Sequence, residues 1–390
     1  MGLNNLRGSV AIVGVGQSGM GDATGFSAIE ILADASRKAV IDAGMKMADI
    51  DGLATCSSAA SMWSLPVAEY LGLRPQFIHS TMIGGSSFIA HIMPAMQALV
   101  SGQCNAVLVC YGSTQKTGTF SRSEMVKAFQ LIDPQPYENL YSPLQPVTSY
   151  ALAAARHMHE FGTSRKQFAE VAVAARKWAQ LNPEAYSRDE LSIDDVLNSR
   201  MVSSPLTIRD CCLVTDGAGA FVMTRSAFAR ELPKPPIYVL GNATAVWNRQ
   251  ISSMHSLTMT AASESGRKAF EMAGLTPADV DIVCLYDAFT INTILFLEDL
   301  GFCSKGEGGD FVDYGGIAPG GHLPVNTNGG GLSCVHPGMY GIFLVIEAAR
   351  QLRGECGDRQ IKGAQIALAH GNGGTLSSQS TVLLGTESVL

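Results

Sequence analysis

The chain has 390 residues. One hydrophobic core rarely grows past roughly 250–300 residues, so two lobes or a core with an insertion are expected. Hydrophobic residues make up 46% and charged residues 16%, which excludes a disordered chain and points to a sheet covered on both faces.

The net charge of −7, with no basic run, argues against nucleic acid or an anionic membrane as the main partner. No apolar run is long enough to span a bilayer. Met1 to Arg7 carries no apolar signal-peptide core, and Ser388-Val389-Leu390 is neither a prenylation nor a peroxisomal signal, so a cytoplasmic protein is expected. Nine cysteines are scattered without a CxxC pair. Buried, reduced thiols and no metal site are the expectation.

Val10 to Val13 reads as the first strand. Gly14-x-Gly16-x-x-Gly19 follows it and matches the dinucleotide-binding fingerprint. That fingerprint needs a helix starting at the glycines, and here Gly21 and Gly25 intervene before the helix signal at Ser27. The strand Leu53 to Cys56 also ends without the acidic residue that holds a ribose. The glycines are read as a loop after the first strand, not as an NAD site.

Gly84-Gly85 leads into an apolar helix from Ile89 to Val100, where Pro94 predicts a kink, and Ala106 to Cys110 reads as a strand. From about Thr114 to Pro205 the chain is more polar and rich in helix signals, such as Ser164 to Gln167 ahead of Phe168 to Trp178. This pattern predicts an inserted, mostly helical segment. His157-x-His159 lies in it. Residues two apart do not share a helix face, so an exposed surface is expected rather than a metal pair. Thr207 to Thr224 returns to the sheet.

Arg37-Lys38-Ala39 recurs as Arg267-Lys268-Ala269, Ala43-Gly44 as Ala273-Gly274, and Ala48-Asp49-Ile50-Asp51 as Ala278-Asp279-Val280-Asp281, all at an offset of 230 residues. Shared spacing of this kind predicts a duplicated α/β fold with two similar βαβαβ halves. The halves are 1–235, holding the insertion at about 114–205, and 236–390. Strands at Ile237 to Leu240, Val280 to Leu285 and Gln365 to Ala369, with a helix from Ile342 to Leu352, build the second.

Four segments join glycine turns to titratable groups. They are Gly84-Gly85-Ser86-Ser87, Tyr286-Asp287-Ala288-Phe289, Gly329-Gly330-Gly331 through His336-Pro337-Gly338-Met339-Tyr340-Gly341, and His370-Gly371-Asn372-Gly373-Gly374. In a doubled α/β layout all four fall at strand ends or helix starts, where clefts form.

These residues resemble the thiolase superfamily over nearly the whole chain. Pro205-Leu206 to Asp210-Cys211, followed by Thr215-Asp216-Gly217-Ala218, is similar to the signature that closes the first thiolase half. Tyr286-Asp287-Ala288-Phe289 stands where thiolases have Asn-Glu-Ala-Phe, and Gly329 to Gly341 where they have a glycine run with Gly-His-Pro. Leu297-Glu298-Asp299-Leu300-Gly301-Phe302, Lys305 to Gly309 and Leu323-Pro324-Val325-Asn326-Thr327 resemble the branch related to sterol carrier protein x.

The departures bear on function. The position of the thiolase nucleophile aligns with Gly84, and that of the second, acid–base cysteine with His370. Ser86 or Ser87 would need a base to replace the nucleophile. The resemblance to the steroid side-chain retro-aldolases of this branch implies cleavage of a β-hydroxyacyl-CoA to a ketone or aldehyde and a shorter acyl-CoA. It implies Tyr286, Tyr340 and His336 as catalytic residues. His370, Asn372 and Ser86 are further catalytic or oxyanion candidates, though His370 and Asn372 have the alternative of bracing their loop. Gly84, Gly85, Gly330, Gly373 and Gly374 are the expected substrate-binding glycines.

A tyrosine base needs its pKa of about 10 lowered, by His336 or by a proton shared between Tyr286 and Tyr340. No cofactor is implied beyond CoA in the thioester. The implied partners are a second copy of the chain, with Ala106 to Cys110 as the candidate interface strand, and a separate zinc-ribbon/OB-fold acyl-CoA-binding protein. Two other readings stand beside this one: an atypical thiolase or acyltransferase, and a non-catalytic acyl-CoA binder or lipid carrier.

Overall fold

The computed structural model describes residues 6–118 and 137–390. Residues 119–136 of the predicted insertion, and Met1 to Asn5, lie outside the described residues. Among the described residues nine strands form the main sheet: β1 (Val10–Gly21), β2 (Gly52–Thr55), β3 (Phe77–His79), β4 (Ala106–Thr114), β5 (Asp216–Arg225), β6 (Ile237–Val246), β7 (Ile282–Leu285), β8 (Ile366–Gly373) and β9 (Ser378–Gly385). Their order is β3-β2-β4-β5-β1-β6-β9-β8-β7. Helices α1 (Ala28–Asp42), α2 (Ser64–Leu71), α3 (Ser87–Ala90), α4 (Ile92–Val100), α5 (Val147–Phe161), α6 (Arg165–Gln180), α7 (Ala262–Ala273), α8 (Thr290–Asp299) and α9 (Gly341–Leu352) pack around it.

The duplication is visible in the pairing. β1, β5 and β4 run antiparallel in turn, and β4 is parallel to β2. β6, β9 and β8 run antiparallel in turn, and β8 is parallel to β7. The two sets join through the pairs Ala11–Tyr238 and Ile12–Ile237.

The repeated residues do the same work twice. Asp51 accepts the N–H groups of Asn105 and Ala106 at the start of β4, and Asp281 accepts those of Gln365 and Ile366 at the start of β8. A Cβ on Gly14 would overlap the Ala39 carbonyl of α1, and one on Gly241 the Ala269 carbonyl of α7. Each helix therefore sits directly on its strand, and a valine at Gly14 would force the two apart.

Four expectations are corrected. The glycines of the fingerprint-like motif are not a loop: β1 continues through them to Gly21, because α1 packs too closely there for side chains. Ala106 to Cys110 is not an interface strand. It lies between β2 and β5, fully buried, and the free edges among the described residues are β3 and β7. β7 starts at Ile282, two residues later than Val280. His157 is buried, not exposed. It falls on the stripe Val147, Tyr150, Ala154, His157 that α5 turns inward, while His159 faces out. Its Nε2 meets Glu298 Oε1 at 2.9 Å and its Nδ1 meets Thr163 at 2.8 Å. The helix predicted from Ile89 to Val100 is divided at His91 into α3 and α4. Pro94 has no N–H for the Ala90 carbonyl.

Candidate active site

The four glycine-rich segments meet. Tyr286 leaves the end of β7 with its N–H on the His370 carbonyl, so the sheet pairing sets where its ring stands. The Tyr286 hydroxyl accepts the Tyr340 N–H at 3.1 Å and donates to the Gly338 carbonyl at 3.2 Å. Its ring fills the space over Gly85, where a Cβ would overlap it. Tyr340 stands at the start of α9, and the rings of Tyr286, His336 and Tyr340 form a triangle, with centres 5.6 Å (Tyr286–His336), 5.7 Å (Tyr286–Tyr340) and 6.2 Å (His336–Tyr340) apart.

The loop that carries His336 is pinned from both ends. Asp287 accepts the Gly331 N–H at 2.6 Å and the Leu332 N–H at 3.4 Å, holding the π-turn Gly330–Cys334, and a Cβ on Gly330 would overlap that carboxylate. The His336 N–H donates to Thr215 Oγ1 at 2.9 Å. Its ring Nε2 is buried and has no hydrogen-bond partner among the described residues.

A second polar chain runs beside this cluster. His370 meets Thr381 Oγ1 through Nδ1 and Gln379 Oε1 through Nε2, both at 2.9 Å. Gln379 Nε2 donates to Asn372 Oδ1 at 2.8 Å, Asn372 Nδ2 donates to the Tyr150 hydroxyl at 2.8 Å, and that hydroxyl donates to the Gly374 carbonyl at 3.0 Å. Because the Gln379 amide gives its N–H to Asn372, its oxygen must accept from His370, so Nε2 carries the ring proton. His370 and Asn372 thus brace the end of β8.

Burial dominates the electrostatics. It pushes the Tyr286 and Tyr340 phenols well above the usual tyrosine range and Tyr150 up to about 12. It lowers His336 to about 4 and His370 to about 3, so both rings are neutral. It raises Asp287 to about 7 despite the backbone donors it accepts. Two expectations about the tyrosines are therefore corrected. No proton is shared between them, since each hydroxyl bonds elsewhere. A neutral His336 supplies no positive charge to lower either one.

Among the described residues of the four segments there is no built nucleophile. Gly84 has φ +86°, and a Cβ there would lie 2.7 Å from Gly373 Cα, so a cysteine side chain has no room. A Cβ on Gly373 would overlap the Ile83 carbonyl, and one on Gly374 would crowd Ser377. Ser86 meets Ser378 Oγ at 2.7 Å and Ser87 donates to the Gly84 carbonyl at 2.7 Å, so neither reaches a base. Burial raises the pKa of all nine cysteines, the opposite of what a thiolate nucleophile needs. Sequence reasoning missed Gln379, Thr381, Tyr150 and Asn328 as members of the site. Asn328 alone left a signal, a polar side chain directly before the glycine run.

A family model described as thiolase C-terminal domain-like matches residues 243–386. The chain is 35% identical over 388 residues to the acetyl-CoA acetyltransferase of Methanothermobacter thermautotrophicus, covering 94% of this chain and 96% of that protein. It is 35% identical over 360 residues to the 17-hydroxy-3-oxo-4-pregnene-20-carboxyl-CoA lyase of Mycobacterium tuberculosis, covering 90% and 92%. A solved structure titled "Ltp2-ChsH2(DUF35) aldolase" superposes with a TM-score of 0.88 at 29% identity, covering 98% of this chain and 99% of that one. The chain belongs to the thiolase superfamily, in the branch related to sterol carrier protein 2. Its relatives include an acetyltransferase, a lyase and a steroid side-chain-cleaving aldolase. Among the described residues no helix is long and apolar enough to cross a membrane.

Proposed function

We propose that the protein is an aldolase that cleaves the Cα–Cβ bond of a β-hydroxyacyl-CoA thioester, of a steroid side chain or similar, at the Tyr286–His336–Tyr340 cluster. One observation carries this reading. An acid–base cluster with an unengaged Nε2 among the described residues stands where the room for a nucleophile has been filled by Gly373. The lyase relative and the superposing aldolase support the same chemistry.

A retro-aldol cleavage needs no covalent intermediate. The β-hydroxyl proton goes to His336 Nε2, and the O–H bonding pair becomes the new C=O bond. The Cα–Cβ pair moves into the thioester as an enolate. Cα then takes a proton from a tyrosine phenol, and the imidazolium returns its proton to that phenolate. A ketone or aldehyde leaves and a shorter acyl-CoA remains. In this reading the tyrosines act as acids, because burial keeps them protonated, and the neutral imidazole takes the first proton.

CoA enters only as part of the substrate. A second copy pairs through the free edge of β3. The matched aldolase is named together with a DUF35 component, and this reading extends such a zinc-ribbon/OB-fold partner to the present chain, acting in the cytoplasm.

The test is mass spectrometry of a thioester panel, with and without a co-expressed DUF35-type protein. The panel holds 17-hydroxy-3-oxo-4-pregnene-20-carboxyl-CoA, β-hydroxy-β-phenylpropionyl-CoA, β-hydroxybutyryl-CoA, and acetoacetyl-CoA with free CoA. Release of a ketone or aldehyde from a β-hydroxy substrate is expected. Thiolysis of acetoacetyl-CoA, or binding without turnover throughout, overturns the reading.

A further inference from the structure

The loop Asn326-Thr327-Asn328 touches the frame of both tyrosines. Asn326 Oδ1 accepts the Leu285 N–H at 2.6 Å, one residue before Tyr286, and its φ of +54° is a left-handed backbone that asparagine tolerates. Thr327 donates to Glu347 Oε1 at 2.6 Å, and Glu347 is ion-paired with buried Arg359 at 3.0 Å. Asn182, from the insertion, donates to the Asn328 carbonyl at 2.9 Å. The loop is thus gripped from three sides.

Asn328 presents both ends of its amide to one hydroxyl. The Tyr340 oxygen lies 3.1 Å from Oδ1 and 3.0 Å from Nδ2. The Gly330 N–H, 2.9 Å from Oδ1, determines which end is oxygen. A phenol donates its proton to Oδ1. A phenolate has none to give and accepts from Nδ2. The same amide therefore serves both protonation states.

We propose, resting on the acid role given to a tyrosine phenol above and taking Tyr340 as that phenol, that Asn328 is the positioning residue that lets the Tyr340 hydroxyl pass between phenol and phenolate without moving. The pairing has a physical use. A buried phenolate left without a donor carries the full desolvation penalty, and the Nδ2 donor reduces it at the moment the proton leaves. The titratable groups around Tyr340 are Asp287, Tyr286, His336, Cys284 and Cys334. None of them donates a hydrogen bond to its hydroxyl among the described residues, so the amide is the donor that matters.

The discriminating variant is N328D, nearly isosteric, which keeps an acceptor for the phenol and removes the donor for the phenolate. It is assayed on the panel thioesters with the co-expressed partner, beside Y340F and N328Q. For N328D, kcat is expected to fall about tenfold or more with KM within about twofold, and the loss should deepen as pH rises and the new carboxyl ionises. N328Q, an amide on a longer arm, should recover part of the loss. Thermal melts confirm folding, and N328A, which has no donor, stands in if N328D does not fold. Wild-type kcat and pH profile in N328D or N328A, while Y340F is inactive, overturn the role of Asn328 alone. Full activity in Y340F overturns the acid role of Tyr340 on which it rests.

Discussion

His336 and His370 are both buried, both neutral, and both carried by glycine-rich segments that meet at the same end of the sheet, but their ring nitrogens meet different surroundings. His370 has a side chain of β9 on each nitrogen. His336 is held by its backbone and leaves Nε2 unengaged among the described residues. Leaving a buried polar atom unpaired costs about 1–3 kcal/mol, so such an atom calls for a reason. Burial therefore does not set these two rings apart, and the hydrogen bonds do: under the proposed function the unengaged nitrogen of His336 is the reactive one. An unengaged nitrogen is not enough by itself, since buried His91 also leaves Nδ1 without a partner among the described residues; His336 differs in standing against Tyr286 and Tyr340.

The sharpest way to break this contrast is to remove the side on which the proposed function places the chemistry. His336→Gln and Tyr286→Phe should each lower turnover of a β-hydroxyacyl-CoA by about 10²–10⁴-fold, with circular dichroism unchanged. Retained turnover in both would place the chemistry elsewhere.

Acid titration tests where the two histidines are alike. His336, His370 and His91 have folded pKa values lowered to about 4, 3 and 4 by burial, against 6.5 for the unperturbed ring. The unfolded chain then binds more protons as pH falls below 6.5, so stability is full above that value and is lost towards pH 4. Each ring contributes a loss of about 2 kcal/mol at pH 5. Asp287 works the other way. Its carboxyl is raised from 3.8 to about 7, so it favours the fold as pH falls below 7, by about 2–3 kcal/mol at pH 5. The net expectation is a protein that loses stability in denaturant melts between pH 7 and 5. His336→Leu and His370→Leu should each remove a similar share of that loss. An acid sensitivity untouched by both variants would mean the rings are charged in the fold.

The bracing side shows its effect in stability. His370→Leu strands Gln379 Oε1 and removes the partner of Thr381, at a cost of about 2–4 kcal/mol in a denaturant melt at pH 7.5. The variant that still folds should keep turnover within a few-fold of the parent. A catalytic loss as large as that of His336→Gln would erase the distinction.

Much of this was legible in the sequence because it is local. The offset repeat was carried by residues that cap strands and seat helices, such as Asp51 and Asp281. The four site segments announced themselves by placing titratable groups inside glycine turns. What stayed hidden depends on pairing at a distance. Nothing near Asn372 reveals that its amide meets Tyr150, 222 positions away. The spacing of His157 to His159 says nothing of burial; the inward stripe Val147, Tyr150, Ala154, His157 of α5 does. The glycines after Val13 read as a loop because glycine disfavours strands, and only the closeness of α1 explains why this strand requires them. The free Nε2 of His336 is likewise a fact of three dimensions.

The smallest effect comes from the far end of the bracing chain. Tyr150→Phe keeps the ring stacked on Phe289, 4.4 Å between centres, and removes only the hydroxyl. Asn372 Nδ2 then loses its acceptor and the Gly374 carbonyl its donor. The ring and its packing stay in place, so the expected cost is about 1–2 kcal/mol, less than at His370 where the ring itself fills the core. If the chain of side chains acts only as a brace, turnover per folded molecule is unchanged, and double-mutant coupling between Tyr150→Phe and Gln379→Leu accounts for part of the stability loss. If Tyr150→Phe instead lowers turnover with no change in the melt, the hydroxyl belongs with the reactive cluster, and the boundary between the two regions runs through Asn372 rather than beside it.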